Sequence, residues 1–212
     1  MSLAKRDKIK VTIVEDRPAT AFEAARKAMI DSQLRTSGVN ADFVLQRMNA
    51  VPREQFVPAT ARSHAYIDRA VPLGEGRFLA APVVHGMMLQ EAQPSVQDKA
   101  LLVDGGSGYL AELLRPLVAS LDVVAAADAD AAAAAKGGDF TLLLVDGAAE
   151  QLPASLLARL ADNGRVVTGL LDKGITRLAT GRKVAGQVAL APLADLGMPV
   201  LPELLAPKGW SF

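Results

Sequence analysis

The apolar positions divide the chain by rhythm. Val44, Leu45, Met48 and Val51 recur at i, i+1, i+4 and i+7, one helical face, and predict a helix over residues 41–50. Upstream, "ATAFEAARKAM" runs on through Met29, Ile30 and Leu34 and predicts another helix, with Ala19 or Thr20 at its cap. Gly38 is placed to stop it, because glycine tolerates the left-handed turn after a last helical residue. Helical spacing returns from Pro82 to Ala92, and Pro94-Ser95 marks a boundary. Between these segments, "VPREQFVPA" carries two prolines six residues apart, which impose extended backbone. Residues 63–68 have room for one helical turn, and "VPLGEGRFLAAP" reads as loop and short strand.

The second half alternates apolar runs with helical ones. Strands are predicted at 100–104, 122–127, 140–146 and 164–171, helices at 109–119 and 153–161, and two further strands at 175–179 and 187–191. Strands alternating with helices predict a parallel sheet covered on both faces, and near-continuously apolar strands agree with burial on two sides. The stretch "AAADADAAAAAKGG" reads as a short alanine helix closed by Gly137-Gly138.

Composition narrows the possible functions. The formal charge is zero and only 4% of residues are aromatic, which argues against a nucleic-acid binder. Cysteine is absent, which removes disulfides and thiolate metal sites and agrees with a reducing interior. His64 and His85 are the only imidazoles, so a protein-built metal site is not expected, and neither shows a partner pattern beyond an ordinary surface or core role. No apolar run reaches the roughly 20 residues of a membrane span, and "MSLAKRDKIK" has no apolar segment behind it. The expectation is a soluble cytoplasmic protein with no nucleic-acid or membrane partner. Met1-Ser2-Leu3 reads as a scar of expression.

"MIDSQLRTSGV" followed by "VLQRMNAVPREQFVPATARSHAYIDRAVPLGEGR" resembles the N-terminal part of protein-L-isoaspartate O-methyltransferases. "LLVDGGSGYLAELL" stands where that family has its S-adenosylmethionine (SAM) loop. "FTLLLVDGAAEQLPASLLARLADNGRVV" resembles its fourth strand, following helix and fifth strand, and "MPVLPELLAPKGWSF" a bacterial side-branch of the family. The resemblance implies an α/β, Rossmann-like SAM-dependent methyltransferase sheet with an N-terminal helical region. It also implies methyl transfer to the free carboxylate of isoaspartyl residues in damaged proteins. That carboxylate is ionised at neutral pH, since such groups titrate near ~4, so alignment rather than a general base supplies the acceleration, worth ~7–11 kcal/mol. The expected organisation is a charged extension over 1–28, a helical and substrate-loop region over 29–95, and the methyltransferase domain over 96–212.

Four departures from the family pattern shape the functional expectation. The cofactor loop implied by the resemblance comprises Asp104, Gly105, Gly106, Gly108 and Tyr109. The family has an acid, an apolar residue and then G-x-G-x-G-Y; here Leu102 holds the acidic position and Asp104 the first glycine. A cofactor carboxylate about 5 Å from Asp104 would be repelled by ~3 kcal/mol at an effective dielectric near 20. The glycines have a second reading, in which they only let helix and strand pack closely. Next, eleven residues separate Ala127 from Asp139, too few for the family's third strand and its helix, so the sheet is expected to lack one edge strand and the pocket one wall.

Asp128 is the candidate ribose contact, or a solvated turn acid. Last, the family's G-Q-T-I-S-x-P substrate loop reads Gly76-Arg77-Phe78-Leu79-Ala80-Ala81-Pro82, with Phe78 and Ala80 in place of two hydroxyl residues. Arg77 is either a solvated surface arginine or an attractor of carboxylates. Asp146, ending the fourth strand, is expected beside Asp104, where the two acids hold a cofactor amino group or a cation, or solvate strand ends. Trp210 and Phe212 are expected to dock on the domain. Together these features predict a family member whose activity is weakened or lost. Two alternatives stay open: a working methyltransferase with an altered pocket, and a non-enzymatic interaction module pairing or self-associating through the bared sheet edge.

Overall fold

The computed structural model describes residues 19–130 and 139–206. The alanine stretch over 131–138, the charged segment over 1–18, and Trp210 and Phe212 lie outside the described residues. Helix α1 (Ala19–Met29) runs into a single π-helical turn (Ile30–Leu34) and a 3₁₀ turn (Arg35–Ser37), and Gly38 stops it at φ +86°. It thus crosses residue 28, and Phe22 and Met29 join the same core as the sheet. Helix α2 (Asp42–Ala50) buries Val44, Leu45 and Met48, the face predicted by their spacing. Two 3₁₀ turns (Arg53–Phe56 and Ala59–His64) follow.

The expected loop and short strand prove to be a hairpin, β1 (Val71–Gly74) with β2 (Arg77–Leu79). Its turn, Glu75-Gly76, has φ +50° and +73°, both positive as a two-residue type I′ connection requires. Helix α3 (Pro82–Ala92) then leads to the main sheet.

The remaining elements are β3 (Lys99–Asp104), α4 (Tyr109–Leu114), β4 (Ser120–Ala125), β5 (Phe140–Ala149), α5 (Ala154–Ala158), β6 (Leu160–Asp172), β7 (Ile175–Val184) and β8 (Gln187–Asp195). The strands order as β4-β3-β5-β6-β7-β8. β4, β3, β5 and β6 are parallel, and β7 and β8 return antiparallel through the two-residue turns Lys173-Gly174 and Ala185-Gly186. Both helices of this half are shorter than expected. Pro116 lies in the 3₁₀ turn that ends α4, and β6 begins at Leu160, inside the span predicted as helix.

The alternation of strand side chains makes two cores. Ala100, Leu102, Leu142, Leu144 and Val167 face α3 and α4, while Leu101, Val103, Leu143, Val145 and Val166 face the α5 side. Double burial therefore holds for β3 and β5. It fails for β4, where no residue is fully buried and Val123 is 43% exposed. Among the described residues β4 has β3 as its only neighbour, the bare edge expected from the shortened connection. No helix among them is long and apolar enough to cross a membrane.

Candidate functional site

β3 and β5 run side by side to Val103 and Val145, and the chain after β3 turns across the end of β5. That crossing fixes Gly105: a Cβ there would stand 2.2 Å from the carbonyl oxygen of Asp146. Gly105 thus lets the loop lie on a neighbouring strand rather than letting a helix approach its own. Gly106 and Gly108 follow at φ +106° and +69°, backbone that side-chain-bearing residues adopt only under strain.

Asp104 folds its carboxylate into this turn. Oδ2 accepts the N–H of Gly106 at 2.9 Å and Oδ1 that of Gly108 at 3.0 Å, so the loop amides are satisfied from within the protein. Burial, followed by the negative charge of Asp146, pushes the Asp104 carboxyl above its usual range, against the two N–H bonds. A folded-state pKa raised this way contributes stability that is present below the ordinary range near ~4 and lost as pH rises through the folded value. Urea midpoints of the native protein and Asp104→Asn, compared from acid to neutral pH, should therefore diverge. The native protein loses ground through that window, and a constant difference would refute the coupling.

Asp146 is 5% exposed at a break in the β5–β6 pairing between Leu144 and Ala148, the kind of irregularity that re-aims a side chain. Its Oδ1 stands 2.9 Å from His85 Nε2, and Ser107 Oγ–H reaches Oδ2 at 3.5 Å. His85 Nδ1 faces Arg53 Nη1 at 3.3 Å. A guanidinium only donates, so Nδ1 accepts and Nε2 carries the proton given to Asp146. Arg53, fully buried, also donates Nε–H to the Ala65 carbonyl at 2.7 Å and Nη2–H to that of Ala80, and lies 5.0 Å from the Tyr109 ring centroid. The chain Asp146–His85–Arg53 thus joins the end of β5 to the hairpin that carries the substrate-loop positions.

Of the predicted residues, Asp104, Gly105, Gly106, Gly108, Tyr109 and Asp146 come together here. Tyr109 is fully buried, its ring edge-on to His85 and Phe56, and its hydroxyl has no hydrogen-bond partner. Ala80 is buried and serves through its carbonyl, Gly76 is a hairpin-turn glycine, and Phe78 is 39% exposed. Asp128 is exposed in the 3₁₀ turn Ala126–Asp128 just beyond β4.

Two residues sharpen the expectation. His85 is in the core, as the middle of a buried hydrogen-bonded chain with partners the sequence did not show. For Arg77 the carboxylate-attracting alternative holds within the chain itself: both Nη atoms bond the carboxylate of Glu203, on the 3₁₀ turn Pro202–Leu204, and each side chain is 28% exposed. The Arg77 stem covers Gly106, where a Cβ would meet its Cγ at 3.2 Å. The Arg77 bonds hold the Glu203 carboxyl below its usual range. Sequence reasoning passed over Arg53, His85 and Glu203. The one available signal was a histidine on the apolar face of α3, in line with Leu89 and Ala92.

In this arrangement the loop that would hold SAM is engaged by the protein's own side chains. The loop N–H groups are engaged by Asp104, the face of Gly106 is covered by Arg77, and β4 has no outer neighbour among the described residues. Among those residues no cluster of three or more His, Asp or Glu side chains is arranged to hold a metal.

A sheet whose four parallel strands end in an antiparallel pair, with a glycine loop leaving β3 beside β5, is a Rossmann-like arrangement of the kind methyltransferases use. The sequence model of the protein-L-isoaspartate(D-aspartate) O-methyltransferase family matches residues 24–129, ending where the connection is shortened. The protein-L-isoaspartate O-methyltransferase of Roseiflexus castenholzii is 36% identical over 169 residues, covering 69% of this chain and 77% of the relative. That of Koribacter versatilis is 32% identical over 200 residues, covering 83% and 90%. In structure, the chain resembles a Plasmodium falciparum protein assigned as a protein-L-isoaspartate O-methyltransferase and solved with S-adenosyl-L-homocysteine. The TM-score is 0.69 at 18% identity, covering 86% of this chain and 98% of the other. The chain belongs to the protein-L-isoaspartate O-methyltransferase family.

Proposed function

We propose that this protein is a family member in which SAM-dependent methylation of isoaspartyl carboxylates is weakened. The observation that carries the reading is the internal capture of the Gly106 and Gly108 N–H groups by Asp104. A cofactor entering the loop must displace or lie against the partly buried Asp104 carboxylate, and the Arg77 stem already covers one face of Gly106. The two hydroxyl positions of the substrate loop hold Phe78 and buried Ala80, so an isoaspartyl carboxylate finds fewer oriented donors there. The partner class is an isoaspartyl-containing protein or peptide, the setting cytoplasmic, and homo-oligomerisation through β4 is compatible with its lack of an outer neighbour among the described residues.

The reading predicts weak or undetectable heat on titrating the protein with SAM, and little methyl transfer to an isoaspartyl peptide. Tight binding with ready turnover would refute it. One observation favours the second reading, a working enzyme with an altered pocket: the positive-φ turn at Gly106 and Gly108 is formed, and the buried Asp146–His85–Arg53 chain still supports the hairpin.

A further inference from the structure

Arg77 and Glu203 are 126 positions apart, yet they meet over Gly106. Each partner is held by structure. Arg77 stands in β2 just after the Glu75-Gly76 turn, with its stem packed on the glycine loop. Glu203 rides on a segment pinned to the end of β5. There the Ala148 N–H bonds the Pro199 carbonyl at 2.7 Å, the Leu201 N–H bonds the Ala148 carbonyl at 2.9 Å, and Leu201 fills the space over Gly147. The C-terminal segment therefore delivers a carboxylate to an arginine at the mouth of the cofactor loop.

We propose that Arg77 is a carboxylate receptor for the ligand of this site and that Glu203 is its built-in competitor, holding the arginine across Gly106 until a ligand carboxylate replaces it. A guanidinium presents paired N–H groups in a planar fork that suits a carboxylate, and here both Nη atoms already engage one. The pair is partly open to solvent, so it is screened and exchangeable rather than locked. The incoming carboxylate has two possible sources, the amino-acid end of an adenosyl cofactor or the isoaspartyl group of an acceptor peptide. Both would approach between β2 and the loop. The inference rests on the weakened-methyltransferase reading, because it supplies a physical reason for the weakness: part of the site's cationic recognition is spent internally.

Calorimetry on the full chain separates the cases. Probes are S-adenosylhomocysteine against methylthioadenosine, which lacks the amino-acid end, and an isoaspartyl peptide against the same peptide with its free α-carboxylate converted to the amide. Glu203→Gln should bind the carboxylate-bearing probe of one pair about fivefold tighter than the native protein, the reach of an exposed ion pair, with its carboxylate-free counterpart unchanged. The pair that responds identifies the source. Arg77→Met, which keeps the stem over Gly106, should erase the preference within that pair. Equal affinities of native and Glu203→Gln protein for all four probes, including no binding by either, overturn the proposal. Tight SAM binding and ready methylation by the native protein would refute the weakened-activity reading instead. The comparison with Glu203→Gln would still decide the role of Arg77.

Discussion

Replacing Arg53 by methionine should lower the folding free energy by about 3–5 kcal/mol, the usual cost of removing one partner from a buried ionic network. The side chain is fully buried, and its loss leaves the Ala65 and Ala80 carbonyls and His85 Nδ1 without their donors. It also strips the nearby cation from a region holding Asp146 and Asp104, two buried or half-buried acids. For a chain of this length each kcal/mol shifts the midpoint by roughly 2–4 °C, so the thermal transition should fall by roughly 10 °C. A scan showing a change of only a degree or two would mean that the network contributes little. Methionine preserves most of the volume, so a large drop reports the polar contacts rather than a cavity.

Gly105→Ala should be the most damaging single-methyl change in the loop. The added Cβ would stand 2.2 Å from the Asp146 carbonyl oxygen, and the obstacle is backbone, so either the loop or the end of β5 must move. An overpacking cost of about 2–3 kcal/mol is expected. Gly108→Ala meets open space and suffers only its left-handed φ of +69°, a cost of about 1 kcal/mol. Urea denaturation of both variants tests the ranking, and a Gly108→Ala variant at least as destabilised would overturn the account of why Gly105 must lack a side chain. Because the Asp146 carbonyl adjoins the carboxylate bonded to His85, Gly105→Ala should also disturb the histidine, visible as a shift of its ring resonances.

Much of the fold was legible locally. The spacing of Val44, Leu45 and Met48 located α2, the apolar runs located β3 and β5, and Gly38 ended the first helical segment as its backbone freedom allows. Eleven residues between Ala127 and Asp139 foretold a short connection, and among the described residues β4 has no outer neighbour. Boundaries were less legible where competing demands decide them. Leu160 and Ala161 fall within the predicted helix, but β6 claims them because pairing begins at Phe140 with Leu160 and Leu160 joins the α5-side core. The hairpins at Glu75-Gly76, Lys173-Gly174 and Ala185-Gly186 follow from positive φ at both turn residues, a weak signal when the first is Glu, Lys or Ala.

By itself, the sequence determined the order of elements, the glycine turn after β3, the shortened edge and the family, because periodicity, turn chemistry and motif spacing are properties of near neighbours along the chain. Only the tertiary structure decided what Asp104, His85, Arg53, Arg77 and Glu203 do. Asp104 turns into its own loop because that loop crosses β5, and His85 meets Asp146 because α3 lies on the sheet. Arg77 finds Glu203 because the C-terminal segment is pinned beside Ala148. The Arg53–His85, His85–Asp146 and Arg77–Glu203 pairings join residues 32 to 126 positions apart. Their energies depend on burial and a few ångströms of geometry, which no local pattern of residues encodes.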